Sequence, residues 1–110
     1  MKAEYKEINI EGTVERLHTT EEMVKKLIKM SLESDMLEQA EKAFANGTLE
    51  EAQRAIHTIK GTAANTGLDG LSKLALEIET KIKENEFLDL ELLDVMKTVW
   101  AELKTQIDWI

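Results

Sequence analysis

Leu49-Glu50-Glu51-Ala52-Gln53-Arg54-Ala55-Ile56-His57-Thr58-Ile59-Lys60-Gly61-Thr62-Ala63-Ala64-Asn65-Thr66-Gly67 reads as one amphipathic helix. At about 100° per residue, Leu49, Ala52, Ile56, Ile59 and Ala63 fall within an arc of roughly 80°, the stripe that such a helix buries. His57 points about 120–130° away from that stripe, which is a poor position for a core histidine. Its neighbours on the outer face are Gln53 one turn earlier, Lys60 and Gly61 one turn later, and Ala64 two turns later. Gly61 inside a helix costs about 0.8–1 kcal/mol relative to alanine. Either the position tolerates that cost or something must approach the backbone closely beside His57. A phosphoryl group would fit both the space and the Lys60 ammonium.

The rest of the chain reads outward from this helix. Upstream, Asn46-Gly47 is a C-cap signal and Thr48-Leu49-Glu50-Glu51 has capping-box spacing. The connection is therefore very short and the helices it joins are antiparallel neighbours. The preceding helix is expected to run from Thr19-Thr20-Glu21-Glu22, with Thr19 as N-cap, to Asn46. Met23, Leu27, Met30, Leu37 and Phe44 share one arc of it, and Val24, Ile28 and Leu32 widen the stripe. That width calls for a second neighbour, supplied by a short helix over residues 12–18. Met1 to about Ile10 is either an extended lead-in or a frayed helix start.

Downstream, Gly67 offers the left-handed residue that helix ends favour, and Asp69 is a candidate N-cap. Leu71, Leu74, Ala75, Ile78 and Ile82 form a third stripe that closes near Asn85. Phe87-Leu88-Asp89 opens a last helix carrying Leu92, Leu93, Met96, Val99, Trp100, Leu103 and Ile107. Trp100 and Trp109 are expected in the core or over its end. The fold class is all-α: an antiparallel up-down-up-down four-helix bundle with a short additional N-terminal helix, in one domain over residues 1–110.

Composition agrees and excludes several functions. A chain of 110 residues without proline suits one helical domain and is too short to hold a kinase catalytic domain beside it. Lys and Arg total 14 against 22 Asp and Glu, a formal charge of −8, which opposes binding to nucleic acid or an anionic membrane surface. With no cysteine there is no disulfide framework and no thiolate metal site. No apolar run reaches the length of a membrane span, and a cytoplasmic location is expected.

His57-Thr58-Ile59-Lys60-Gly61, with Gly67 ten residues after the histidine, resembles the His-x-x-Lys-Gly-x-x-x-x-x-Gly signature of histidine-containing phosphotransfer (HPt) domains. Glu79, 22 residues after His57, matches the family's acid or amide one helix later. Thr66 departs from the pattern, since many members carry an apolar residue there. The resemblance covers nearly the whole chain. It implies an exposed histidine that takes a phosphoryl group from a receiver-domain aspartate or a histidine kinase and passes it to a response regulator. The chain would then be a phosphocarrier rather than an enzyme, a monomer with no cofactor of its own, any magnesium coming with the partner receiver domain. Its partners would be receiver domains of hybrid sensor histidine kinases and response regulators.

In that mechanism one ring nitrogen of His57 attacks while the other holds a proton fixed by an acceptor. Glu79, at the border of its helix's apolar stripe, is placed to be that acceptor, which leaves Nε2 as nucleophile. Lys60 is expected to meet phosphoryl oxygens during transfer. Leu76 projects roughly 120–140° from Leu71, and with Ala64 and Gly61 it would make a small apolar platform for the partner; Gln53 is a weaker candidate for the same contact.

The main alternative is an inactive helical adaptor that binds a receiver domain without accepting phosphate. A variant of the first reading is the N-terminal module of a chemotaxis-type kinase. Glu15-Arg16-Leu17-His18 has the Glu-x-x-His spacing of di-iron bundles, but no second pair accompanies it, and a haem bundle would leave Lys60-Gly61 unexplained.

Overall fold

The expected first long helix is two helices. In the computed structural model, which describes residues 5–46 and 48–108, the elements are α1 (Ile10–Leu17), α2 (Glu21–Glu33), α3 (Met36–Asn46), α4 (Leu49–Thr66), α5 (Asp69–Asn85) and α6 (Leu90–Ile107). No strand forms among the described residues. The architecture is the expected all-helical bundle: α2 with α3 makes the first arm, α4, α5 and α6 make the other three, and α1 is the additional N-terminal helix.

The break has a cause in helical phase. Val24, Ile28 and Leu32 are the buried residues of α2, and Ala40, Ala43 and Phe44 those of α3. On one continuous helix the two sets would be centred roughly 110° apart, so no straight helix could bury both well. Ser34 and Asp35 supply the change of phase, since their side chains compete with the helix for backbone partners. Ser34 is extended at φ −73° and ψ 175°, its hydroxyl donates to the Ser31 carbonyl at 2.7 Å and accepts from Met36 N at 3.4 Å. The Asp35 carbonyl then accepts the first bond of the new helix from Gln39 N. Met23 and Met30, expected within the stripe, are 43% and 59% exposed.

The break also explains Trp100. The Leu32 carbonyl would accept from Met36 N in an unbroken helix; here it accepts the Trp100 indole N–H at 2.8 Å in the core. Trp109 lies outside the described residues, as does the Gly47 cap.

Three expected caps differ. Thr20, not Thr19, caps α2 by accepting from Met23 N, because the helix opens with the bond from Val24 N to Thr20 O, while Thr19 still belongs to the end of α1 through its bond to Val14 O. Thr48 makes no side-chain cap bond. Asp69 is the first residue of α5 rather than its N-cap, because the turn after Gly67 already carries the helix start on the Leu68 carbonyl. Asp89 does cap α6, accepting from Leu92 N at 3.0 Å.

The described part of the lead-in, residues 5–9, forms neither α-helix nor strand and is tied to the bundle. Asn9 N donates to Gly67 O at 2.7 Å and Gly70 N to Glu7 O at 3.2 Å, which lays the segment across the corner between α4 and α5. Asn9 caps α1 through Gly12 N, so that helix begins two residues before the expected start. Tyr5 is buried and its hydroxyl meets both carboxylate oxygens of Glu77, at 2.9 and 3.0 Å. A Cβ on Gly70 would collide with the Tyr5 carbonyl group, so glycine lets the lead-in lie flat on α5.

Candidate functional site

Ile56 and Ile59 are fully buried, and their burial fixes the rotation of α4 about its axis. His57 is thereby held on the surface, with 63% of its side chain exposed. On α5, Leu74, Ala75, Ile78 and Ile82 fix the rotation in the same way, and Glu79 at the stripe's edge is carried into the α4–α5 contact with only 3% of its side chain exposed. The two helices bring His57, Lys60 and Glu79 together. His57 Nδ1 lies 3.0 Å from Glu79 Oε2, and Lys60 Nζ donates to Glu79 Oε1 at 2.7 Å.

The carboxylate is satisfied on both oxygens. Burial pushes its pKa upward, but the hydrogen bonds from Lys60 and His57, with the charges behind them, outweigh burial and hold it below the ordinary value of 4.5. Glu79 is therefore ionised near neutral pH and acts only as an acceptor, so Nδ1 must donate. In the neutral ring Nε2 then carries the lone pair.

The sign of the linkage follows. A folded-state pKa below the unfolded one means that the unfolded chain binds more protons, so Glu79 stabilises the fold above about pH 4.5 and loses that contribution as pH falls through its lowered pKa. Asp89, lowered from 3.8 chiefly by the Lys81 hydrogen bond, acts in the same direction at lower pH. The urea midpoint of the wild type is expected to be level above about pH 5 and to drop toward about pH 3, with a shallower drop in Glu79→Gln. Equal slopes in the two proteins would show that Glu79 does not contribute.

The surroundings are open. Gly61 is exposed, and a Cβ there would meet nothing within 4 Å, so the glycine relieves no internal crowding. Ala64 is exposed, Gln53 is half-buried and Leu76 is 49% exposed. Gln53, Gly61 and Ala64 share the outer side of α4 with His57 by helical position, Leu76 is on α5, and Lys60 is turned onto Glu79 rather than outward. Two contacts were not foreseen. The Ser72 hydroxyl donates to the Lys60 carbonyl at 3.3 Å, pinning α5 to α4 beside the site. Arg16 of α1 donates to the carbonyls of Ala64 and Asn65 at 3.3 and 3.2 Å. The signal for Arg16 was the last turn of α4, which has no basic residue of its own to meet its unpaired carbonyls.

Among the described residues no three His, Asp or Glu side chains converge as a metal site would require, and no helix is long and apolar enough to cross a membrane. His18, the other histidine, is the left-handed residue that ends α1, at φ 54°.

A helical bundle that presents an oriented, exposed imidazole over a buried carboxylate defines a class: a histidine-presenting domain. The sequence model of the Hpt domain matches residues 22–108, most of the chain, and the chain belongs to the Hpt domain family. Hpt domains are phosphocarriers of two-component signalling rather than kinases, and they work with receiver domains or response regulators. Searches among curated proteins and among solved structures returned no match.

Proposed function

We propose that this chain is a phosphorelay carrier phosphorylated on His57. The reading rests on one observation above all: the ring of His57 is exposed while its Nδ1 is held by a buried carboxylate. Nε2 attacks the phosphorus of a receiver domain's aspartyl phosphate. The N–P bond forms as the P–O bond to the aspartate breaks, and the aspartate leaves as a carboxylate with the electron pair. The positive charge that develops on the ring is stabilised by Glu79 through the Nδ1 proton. Transfer to a response regulator is the same step in reverse onto another carboxylate. Lys60 offsets the Glu79 charge in the resting site and lies one turn from His57, within reach of phosphoryl oxygens after a change of rotamer. Gln53, Gly61, Ala64 and Leu76 form the surface over which the partner approaches. Magnesium, where the partner needs it, is held by the partner's own carboxylates. The setting that fits this relay is the cytoplasm.

The test is incubation of the folded protein with a small phosphoramidate and with phosphorylated receiver domains, followed by intact mass and ³¹P–¹⁵N correlation spectroscopy. The expected product carries one acid-labile, base-stable phosphoryl group on Nε2. Attachment at Nδ1 would overturn the role given to Glu79. No uptake from any donor would overturn the carrier reading in favour of an adaptor that binds receivers without accepting phosphate.

A further inference from the structure

Resting on the carrier reading, we propose that Arg16, on a helix that precedes the family-matched segment, is a docking residue for the acid-rich receiver domain that exchanges phosphate with His57. The position argues first. Arg16 is exposed and sits at the C-terminal end of α4, bonded to the Ala64 and Asn65 carbonyls. Ala64 shares the face of His57, about 10 Å further along the helix axis at 1.5 Å per residue. A partner covering about 800 Å² of this surface spans roughly 16 Å in every direction from its centre. A domain centred on His57 therefore reaches the end of α4 and meets Arg16.

Charge argues second. The chain as a whole carries −8, and the cations of α4 near the site are already engaged: Arg54 faces Glu50 at 3.9 Å and Lys60 is held by Glu79 at 2.7 Å. Arg16 is exposed and bonds only to carbonyl and hydroxyl oxygens, with no carboxylate in ion-pair contact among the described residues. An unpaired guanidinium in an acidic protein favours a partner that brings carboxylates of its own, as a receiver domain whose reacting group is an aspartyl phosphate among carboxylates does.

The guanidinium is also pre-ordered. Its contacts to Ala64 O, Asn65 O and Thr13 Oγ1 all use Nη2, and an arginine has five N–H donors. Nε and Nη1 remain to engage a carboxylate, and little side-chain entropy is left to lose on binding.

A merely structural Arg16, which only completes the end of α4, predicts something different, and the experiment separates the two. Wild type, Arg16→Gln and Arg16→Glu are phosphorylated by a receiver domain charged with acetyl phosphate and, in parallel, by a phosphoramidate. With the protein donor at low salt, the second-order rate constant is expected to fall several-fold in Arg16→Gln and about ten-fold or more in Arg16→Glu. The gap closes as salt is raised, and the phosphoramidate rate is unchanged throughout. Equal rates for the two variants with the protein donor, or an equal loss with both donors, would overturn the docking role in favour of the structural one. Failure of the wild type to accept phosphate from either donor is a separate result that removes the carrier reading and this inference with it.

Discussion

A His57→Gln variant is expected to take up no phosphoryl group from any donor while unfolding within about 1 kcal/mol of the wild type. The loss is complete because the carboxamide of glutamine has no lone pair nucleophilic enough to form an N–P bond, and no other side chain on this face can substitute. Lys60 is an ammonium held on Glu79 at 2.7 Å, and the Thr58 hydroxyl is turned back to the Arg54 carbonyl at 3.1 Å. Stability is nearly kept because the His57 side chain is 63% exposed and removes little apolar surface from water. Glu79 still has Lys60, and the glutamine amide can donate to the oxygen that His57 leaves, so no buried acceptor is stranded. Mass spectrometry after donor incubation and a urea titration measure the two halves. Phosphate on the variant would move the acceptor elsewhere, and a loss of several kcal/mol would mean that His57 is part of the core support.

Much of the bundle was legible because helical phase alone fixes it. Ile56, Ile59 and Ala63 on α4, Leu71, Leu74, Ala75 and Ile78 on α5, and Met96, Val99 and Leu103 on α6 are buried as their spacing requires. The break at Ser34–Asp35 was missed for a definite reason. A continuous stripe through Met23, Leu27, Met30, Leu37 and Phe44 satisfies the 3.6-residue period, and it competes with the true pair of shorter stripes. The broken solution is favoured by Ser34 and Asp35, whose local signal is weak beside that stripe, and by the pairing of Trp100 with Leu32 O, a contact 68 residues apart in sequence that leaves no local mark. At the site, the facing of His57 and Glu79 followed from motif spacing and helix geometry. The attachment of Lys60 to Glu79 did not, because a lysine's long stem lets its ammonium choose among partners that only the packed helices define. For Arg16 the last turn of α4, which has no basic residue of its own, marked the need for a cation but not which one would meet it, since the acceptors lie 48 residues away.

Two glycines of the same motif should respond oppositely to alanine, and the larger effect belongs to Gly67. Gly67 ends α4 in the left-handed region at φ +88°, which costs an L-residue about 1–2 kcal/mol. Its would-be Cβ also falls on the Thr13 hydroxyl and lies 2.7 Å from the Asn9 carbonyl oxygen. Asn9 is the residue whose N–H bonds to Gly67 O, so relieving the collision pushes away the segment before α1 and the start of α1 together. Backbone strain and displaced packing together predict a loss of about 3 kcal/mol for Gly67→Ala. Gly61, in the middle of the same helix, has neither constraint: nothing lies within 4 Å of its Cβ position, so Gly61→Ala is expected to stabilise by about 0.8–1 kcal/mol. Urea unfolding of the two single variants reads both signs. If Gly61→Ala were also destabilising, the open surface beside His57 would not be open. If it stabilises as expected, the sequence forgoes about 1 kcal/mol of folding stability at that position, and the return must lie in function. A methyl there would stand one turn from the His57 ring, where under the proposed transfer an incoming domain brings its aspartate to Nε2, and the hydrogen on the α-carbon of Gly61 leaves room for it.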